Sequence, residues 1–185
     1  SNRMQLAGIL VFEGTAPDFA SFRDEIARCL PYLPHFRQRL RGSTLRLLRP
    51  SWIDDDAFDL DYHLRRAALP APGGHAEIAA LIDDQTAQPL DLQRPLWELT
   101  LVEGVEGGFG IALKVHHCMV DGLSIMDIFA VLCSPDPERR HPAPPPWRPA
   151  PVTPWWKRTL STIDVRLPDA QDVVETARRL RRATA

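Results

Sequence analysis

The sequence predicts a mixed α/β or α+β domain, because stretches typical of strands and of helices follow one another along most of the chain. The apolar run over residues 6–12, which ends before Gly14, is typical of a strand. The period then changes, and the apolar residues of segment 19–30 fall on one helical face. Two later apolar runs, 97–102 and 109–115, are separated by a glycine-containing turn and indicate a β-hairpin.

Proline residues mark the ends of the first predicted helix. Pro17 suits its first turn, and Pro31 and Pro34 stop it. Shorter elements are expected next, namely a helical turn over residues 36–40, a strand over 44–48 and an extended segment over 62–69.

Helical periodicity returns twice in the second half of the domain. A second amphipathic helix is predicted to end near Pro89, and the hairpin turn follows over residues 104–108. After the hairpin, apolar residues recur at helical spacing over 125–132, so a third helix is expected from about Gly122.

The composition changes after residue 133. Residues 134–154 hold 9 of the 18 prolines, which predicts an extended linker with little core of its own. We therefore divide the chain into a folded domain over 1–133, a proline-rich linker over 134–154 and a helical segment over 155–185. The end of that last segment carries a group of cations, here called the basic cluster, where positive charge suits the helix dipole. The basic cluster consists of Arg178, Arg179, Arg181 and Arg182.

Charge and composition exclude several classes of protein. Residues 1–138 carry 12 basic and 20 acidic side chains, which argues against a nucleic-acid-binding core. No apolar run approaches the roughly 18–20 residues that cross a bilayer, and we expect no secretory signal. The three cysteines are odd in number and unpatterned, so we expect a reduced cytoplasmic protein without a disulfide framework.

Two adjacent histidines, His116 and His117, close the second strand of the hairpin shortly before a helix. A strand-to-helix corner is where α/β proteins expose reactive groups at the edge of a rigid sheet. Strand alternation places His117 with Leu113 and Val115, and His116 with Lys114 on the other face. We therefore expect the two imidazoles to point apart, so that one of them serves a given cleft.

Residue chemistry alone leaves other interpretations of this corner open. A histidine is often structural or solvated, Asp121 before a helix is an ordinary N-cap, and Gly122 is an ordinary turn residue. His117 and Asp121 also stand four residues apart, like metal ligands on a helix, although the preceding strand and Gly122 argue against a continuous helix. Cys118 could be a nucleophile, but neighbours on a strand diverge, and we expect a space-filling role.

Other polar residues receive no functional role. The acidic run at 54–56 has no partner at the spacing of a cation-binding loop, so we expect a solvated acidic corner. The remaining histidines are also left without a role: His35, His63, His75 and His141.

Three blocks of sequence resemble a known family. Residues 116–122, His-His-Cys-Met-Val-Asp-Gly, resemble the signature of the CoA-dependent acyltransferase superfamily, which includes chloramphenicol acetyltransferase-like enzymes and the condensation domains of nonribosomal peptide synthetases. Residues 89–91, Pro-Leu-Asp, and 94–99, Arg-Pro-Leu-Trp-Glu-Leu, are similar to the Pro-Leu-Trp block of the bacterial wax ester synthase/diacylglycerol acyltransferase family. Residues 58–64, Phe-Asp-Leu-Asp-Tyr-His-Leu, and Leu123-Ser124 are similar to the same family. The resemblance covers residues 4–133, with the blocks in the expected order.

The resemblance implies a fold and a set of roles. The fold would be a chloramphenicol acetyltransferase-like two-layer sandwich, and this chain the N-terminal half-domain of a two-domain enzyme whose other half lies in the same or a separate chain. His117 would be the general base, and Asp121 would organise the corner. His116 and Gly122 would lie near the substrate. The block Pro95-Leu96-Trp97 is expected to be structural, with a buried tryptophan that anchors its strand.

The resemblance also implies an activity. The enzyme would move a fatty acyl group from acyl-CoA to a long-chain alcohol or diacylglycerol, giving wax ester or triacylglycerol, with acyl-CoA as substrate and neither cofactor nor metal. The alternatives are a condensation-type transferase that uses carrier-protein thioesters, and a non-catalytic half-domain that binds lipid or protein. We expect a cytoplasmic location, peripheral to the inner membrane or lipid droplets, with the basic cluster and Trp155-Trp156 facing an anionic surface. The alternative is that the narrow apolar stripe of the last helix packs on the other half of the enzyme and leaves these arginines solvated. The stripe consists of Ala170, Val173, Val174, Ala177 and Leu180.

Overall fold

The computed structural model describes residues 4–41, 51–120, 125–133 and 141–151 of the 185-residue chain. Helices and strands alternate along this part of the chain, which confirms the predicted mixed fold class. In chain order they are β1 (Gln5–Glu13), α1 (Phe19–Cys29), β2 (Gln38–Arg41), β3 (Ser51–Asp54), α2 (Leu60–His63), β4 (Leu64–Ala68), α3 (His75–Ala87), β5 (Trp97–Val105), β6 (Gly108–His116) and α4 (Ile125–Leu132).

Four of the strands form one sheet in the order β1-β6-β5-β4. β6 pairs antiparallel with both β1 and β5, whereas β4 runs parallel to β5. The predicted hairpin is confirmed as β5 and β6, which are longer than expected and leave Glu106 and Gly107 between them. Strands β2 and β3 form a separate two-stranded ladder.

Helices cover both faces of the sheet. Side chains alternate between the two faces along each strand, so each face has its own set of core residues. One face packs against α1 and α4 in the larger core cluster. Its buried strand residues are Leu64, Trp97, Leu99, Leu101, Leu113 and Val115. The opposite face packs against α3 in a smaller cluster, whose buried strand residues are Val102, Val105 and Ala112.

Helix α1 shows how local sequence sets the ends of an element. The Asp18 carboxylate accepts a hydrogen bond from the Ser21 N–H at 2.9 Å, so Asp18 is the N-cap and the helix begins at Phe19. Pro17 therefore lies before the cap, and its predicted place in the first turn was wrong. The helix ends at Cys29, and two short 3₁₀ turns, Leu30–Tyr32 and Pro34–Arg37, follow it.

Two short elements differ from the predictions, and others fall outside the described residues. The turn predicted over 36–40 ends at Arg37, since β2 begins at Gln38. The extended segment predicted from residue 62 begins at Leu64, because the Asp59 carboxylate caps a helical turn by accepting the Asp61 N–H at 3.0 Å. The predicted strand at 44–48, the start of the third helix and the segment 155–185 lie outside the described residues.

Residues 141–150 of the proline-rich segment, here called the strap, lie against the folded body. The Ala150 N–H donates to the Asp54 carboxylate at 2.8 Å, and the Trp147 ring lies 6.0 Å from the ring of Phe58. At the other end, His141 Nε2 donates to the Val131 carbonyl at 3.2 Å. The compact unit that contains the sheet accordingly runs to Ala150, and a second unit spans Pro151–Ala185.

The acidic run at 54–56 is less solvated than predicted. Asp54 accepts hydrogen bonds from the Gln38 side chain at 2.9 Å and from the strap. Asp55 is only 3% exposed, and its carboxylate lies 3.4 Å from Arg39 Nε. The expectation of a solvated corner therefore holds for Asp56 alone, because β2 and the strap cover its two neighbours.

Candidate active site

The two adjacent histidines lie where β6 gives way to a tight turn. β6 ends at His116, and His117 begins a 3₁₀ turn that runs to Met119. The His117 N–H still donates to the Met4 carbonyl at 2.7 Å, and the Val120 N–H donates to the His117 carbonyl at 3.2 Å. The prediction that His117 continues the alternation of the strand was therefore wrong, since the chain has already left the strand there.

His116 is held within the corner itself. Its backbone N–H donates to the Leu96 carbonyl at 3.0 Å. Its Nδ1 accepts the Cys118 N–H at 3.3 Å and lies 3.0 Å from Cys118 Sγ. Because a backbone N–H can only donate, this contact requires a neutral ring with its proton on Nε2. Burial, and then the neighbouring His117 ring, lower the pKa of His116, which favours the same neutral state.

His117 has different surroundings. Its side chain is exposed, whereas that of His116 is half-buried. Among the residues that the structure describes, the imidazole of His117 has no hydrogen-bond partner. Cys118 lies against His116 and is half-buried. The corner thus combines one histidine that is bound to its own turn with one whose ring nitrogens have no partner among the described residues.

The Pro95-Leu96-Trp97 block supports this corner directly. All three side chains are buried, and Leu96 and Trp97 are fully so. Trp97 Nε1 donates to the Phe36 carbonyl at 2.8 Å, and the two rings lie 4.6 Å apart. Since the Leu96 carbonyl accepts the His116 N–H, one peptide unit separates the buried tryptophan from the histidine corner.

His63 lies beside this block, although no role is predicted for it from the sequence. The side chain is 1% exposed, and Nδ1 donates to the Trp97 carbonyl at 2.9 Å. The ring stacks on Trp97 at 4.5 Å and on Phe58 at 5.4 Å. Burial lowers the pKa of His63. Its membership of the family-like block at 58–64 was the one signal that could have drawn attention to it.

A charged network crosses the face of the sheet that α3 covers. Lys114 is 3% exposed, and its Nζ lies 2.7 Å from Glu98 Oε2 and donates to the Gln88 carbonyl at 3.3 Å. Arg65 Nη2 approaches the other oxygen of Glu98 at 3.4 Å. Lys114 therefore lies on the face opposite Leu113, as strand alternation predicts.

Asp121 and Gly122 lie outside the described residues. Within the described ranges, no cluster of three or more histidine, cysteine or acidic side chains could hold a metal ion. No helix in this part of the chain has the length and apolar character needed to cross a membrane.

Comparison with known proteins identifies relatives. Residues 2–185 match the wax ester synthase/diacylglycerol acyltransferase catalytic domain family. A putative diacylglycerol O-acyltransferase of Mycobacterium tuberculosis is 42% identical over 121 residues, which are 65% of this chain and 26% of that protein. A probable diacylglycerol O-acyltransferase of the same species is 40% identical over 128 residues, which are 69% of this chain and 46% of that protein.

Solved structures share the fold. The wax ester synthase/diacylglycerol acyltransferase from Marinobacter aquaeolei VT8 superposes with a TM-score of 0.56 at 33% identity, covering 77% of this chain and 36% of its own. The starter condensation domain of rhizomide synthetase superposes with the same TM-score of 0.56 at 21% identity, over 71% of this chain and 32% of its own, which shows a common fold alone. These superpositions confirm the acyltransferase-superfamily fold that the sequence resemblance implies.

The matches also fix how much of the relatives this chain represents. It spans about a quarter of the length of the first curated relative and about half of the other. The family match nevertheless covers almost every residue. The chain therefore belongs to the wax ester synthase/diacylglycerol acyltransferase family.

Proposed function

We propose that the full-length protein transfers a fatty acyl group from acyl-CoA to the hydroxyl of diacylglycerol or a long-chain alcohol, with His117 as the general base. The observation that carries the proposal is the contrast between the two histidines. His116 is bonded within its turn, whereas the exposed His117 ring has no hydrogen-bond partner among the described residues. A general base must be able to reach its substrate's proton, and an exposed ring without a described partner supports this role for His117.

The chemistry needs no covalent enzyme intermediate. His117 accepts the hydroxyl proton, the oxygen attacks the thioester carbonyl, and the carbon–sulfur bond breaks after the new carbon–oxygen bond forms. The departing thiolate takes the proton back from the imidazole, so the products are an ester and CoA thiol. Imidazole is suited to accept and return a proton near neutral pH. The thioester is already activated, so the reaction asks for neither a cofactor nor a metal.

Asp121 and Gly122 have supporting roles in this proposal. Asp121 takes the role of organiser of the corner that the family resemblance implies, and a glycine at position 122 would leave room for substrate beside His117. His116 forms the wall next to the base and orders the turn through Cys118.

The substrate class follows from the named relatives. Proteins called diacylglycerol O-acyltransferases are 40–42% identical to this chain, whereas the condensation domain resembles it in fold alone. A lipid hydroxyl is therefore the acceptor we propose, and the carrier-protein reaction has no comparable support. Because the relatives are longer, we propose that further parts of the acyl and acceptor sites lie in the remainder of the enzyme. We also propose peripheral binding to a lipid surface through the basic cluster, since these substrates partition into lipid.

His117→Ala in the full-length enzyme tests the proposal. With palmitoyl-CoA and dioleoylglycerol or hexadecanol, we expect kcat to fall by roughly 10²–10⁴, the usual contribution of general acid–base catalysis. The matched control is His116→Asn, since an asparagine oxygen can still accept the Cys118 N–H, and we expect a much smaller loss. Equal losses in two folded variants would contradict the assignment. A wild-type enzyme without acyl transfer to either acceptor would instead favour the non-catalytic alternative.

A further inference from the structure

At the start of β5, the Trp97 carbonyl accepts a hydrogen bond from a side chain rather than from a neighbouring strand. Trp97 pairs with Val115 of β6, and the hydrogen bond between these strands joins their neighbours, from the His116 N–H to the Leu96 carbonyl. In an antiparallel ladder this pattern makes Trp97 and Val115 a non-hydrogen-bonded pair, so the Trp97 carbonyl points away from β6.

On that other side, the neighbouring strand begins too late to bond the carbonyl. β4 runs parallel to β5, and its first residue, Leu64, stands opposite Leu99. The residue just before β4 is His63, and its Nδ1–H donates to the Trp97 carbonyl at 2.9 Å. The imidazole thus supplies the donor that a longer β4 would have provided.

Several contacts hold the His63 ring in this role. It lies between the rings of Trp97 and Phe58, with interplanar angles of 13° and 17°. Tyr62 meets its edge at 5.1 Å. Nε2 is buried and has no hydrogen-bond partner among the described residues. Since Nδ1 already carries a proton, a second proton on Nε2 would create a buried positive charge without an acceptor in this part of the chain. The ring is therefore a neutral Nδ1–H tautomer, committed to one carbonyl.

We propose that His63 is a positioning residue for the histidine corner: it fixes the first peptides of β5, to which the His116 backbone is bonded, and through them the place of His117. This inference rests on the proposed role of His117 as the base. The chain of contacts is short, because Leu96 and Trp97 are adjacent in sequence. The Leu96 carbonyl accepts the His116 N–H, and the Trp97 carbonyl accepts the His63 Nδ1–H. A shift of β5 at this point would move the base relative to the substrate hydroxyl, and a small misplacement lowers the rate of the chemical step.

Two substitutions separate positioning from packing. His63→Phe keeps a flat ring for stacking and loses the donor, whereas His63→Asn keeps a donor near the Nδ1 position and loses the ring. In the full-length enzyme we expect His63→Phe to lower kcat about tenfold, as for one lost hydrogen bond, with KM for acyl-CoA changed less than about twofold. We expect His63→Asn to stay within about threefold of wild-type kcat, yet to melt at a lower temperature than His63→Phe.

The ranking of the two variants by kcat should therefore be the reverse of their ranking by melting temperature. A purely structural role would not produce this reversal. If activity followed thermal stability, with His63→Asn the slower enzyme, the positioning role would be overturned. His75→Asn is the matched control, since His75 is exposed at the start of α3, and its kcat should equal that of the wild type. Failure of the proposed function is distinguishable, because the wild-type enzyme itself would then lack acyl transfer.

A measurement on the unaltered protein keeps the inference testable if a variant does not fold. In ¹⁵N-histidine-labelled enzyme, the His63 ring protons should be shifted by the faces of Trp97 and Phe58, which identifies the residue. The proton is expected on Nδ1 and the bare lone pair on Nε2. An Nε2–H tautomer, or rapid exchange between the two forms, would overturn the proposal because the Trp97 carbonyl would lose its donor.

Discussion

Replacing Lys114 with methionine removes a buried cation from the middle of the sheet. The ammonium is 3% exposed, lies 2.7 Å from Glu98 Oε2 and donates to the Gln88 carbonyl. After the substitution, Arg65, at 3.4 Å, is the cation that remains beside the Glu98 carboxylate in the described network. Methionine keeps the apolar stem of the side chain, so the main change is the loss of charge.

The size of the effect follows from burial. Removing one partner of a buried ion pair costs about 3–5 kcal/mol when the other charge is left uncompensated. Glu98 is 20% exposed and keeps Arg65, and both facts reduce the cost. We therefore expect Lys114→Met to lower the free energy of unfolding by about 2–3 kcal/mol. The double variant Lys114→Met/Glu98→Leu should cost less than the sum of the two single variants by more than about 1 kcal/mol, because no unpaired charge remains between them.

Urea unfolding, followed by tryptophan fluorescence, measures these values. The matched control is Arg66→Met, which breaks an ion pair with Glu103 at 2.8 Å on the same sheet in an exposed setting, and its effect should be clearly smaller. The reasoning would be refuted if Lys114→Met and Arg66→Met had equal effects. It would also fail if the double variant lost the full sum of the single losses.

Three further predictions concern the turn, the thiols and the membrane. Gly108→Ala should lower the free energy of unfolding in urea by about 1–3 kcal/mol or more, because an added Cβ would lie 1.8 Å from the Phe12 carbonyl oxygen. Gly8→Ala on the same pair of strands is the control, since its added Cβ meets nothing within 4 Å. Burial raises the pKa of the Cys29 thiol to about 12, so at pH 8 a thiol reagent should modify the half-buried Cys118 well before Cys29. Peptide mapping measures the order of modification, and the reverse order would contradict the burial of Cys29. Sedimentation with vesicles should increase with anionic lipid and decrease when the basic cluster is changed to alanine, and binding insensitive to both changes would remove support for surface docking.

The elements that could be predicted are those whose signals are local. The hairpin was predictable because its two apolar runs and the glycines between them stand next to each other in sequence. The signal for the N-cap of α1 is equally local, because the Asp18 side chain bonds the Ser21 N–H three residues later. The parallel pairing of β4 with β5 was not predicted, because nothing near Leu64 in sequence indicates that Leu99 will lie beside it.

The role of His117 stays a prediction, and it came from the family resemblance of the motif rather than from residue chemistry alone. Strand alternation failed at this residue because the turn, fixed by the Met4 carbonyl and the His116 ring, ends the strand one residue earlier. His63 could not have been placed from its own position in the sequence. Its role depends on a carbonyl of Trp97, which the chain brings close only when the sheet assembles.

The strap has a practical consequence for dividing this protein into separately expressed fragments. A cut before residue 141 would separate Trp147 from Phe58 and take away the amide that binds Asp54. The first fragment would then expose an aromatic face and a carboxylate that the intact chain keeps covered, and such surfaces promote aggregation. A cut after Ala150 leaves both contacts inside one piece, so a two-plasmid complementation system should be built around the later junction.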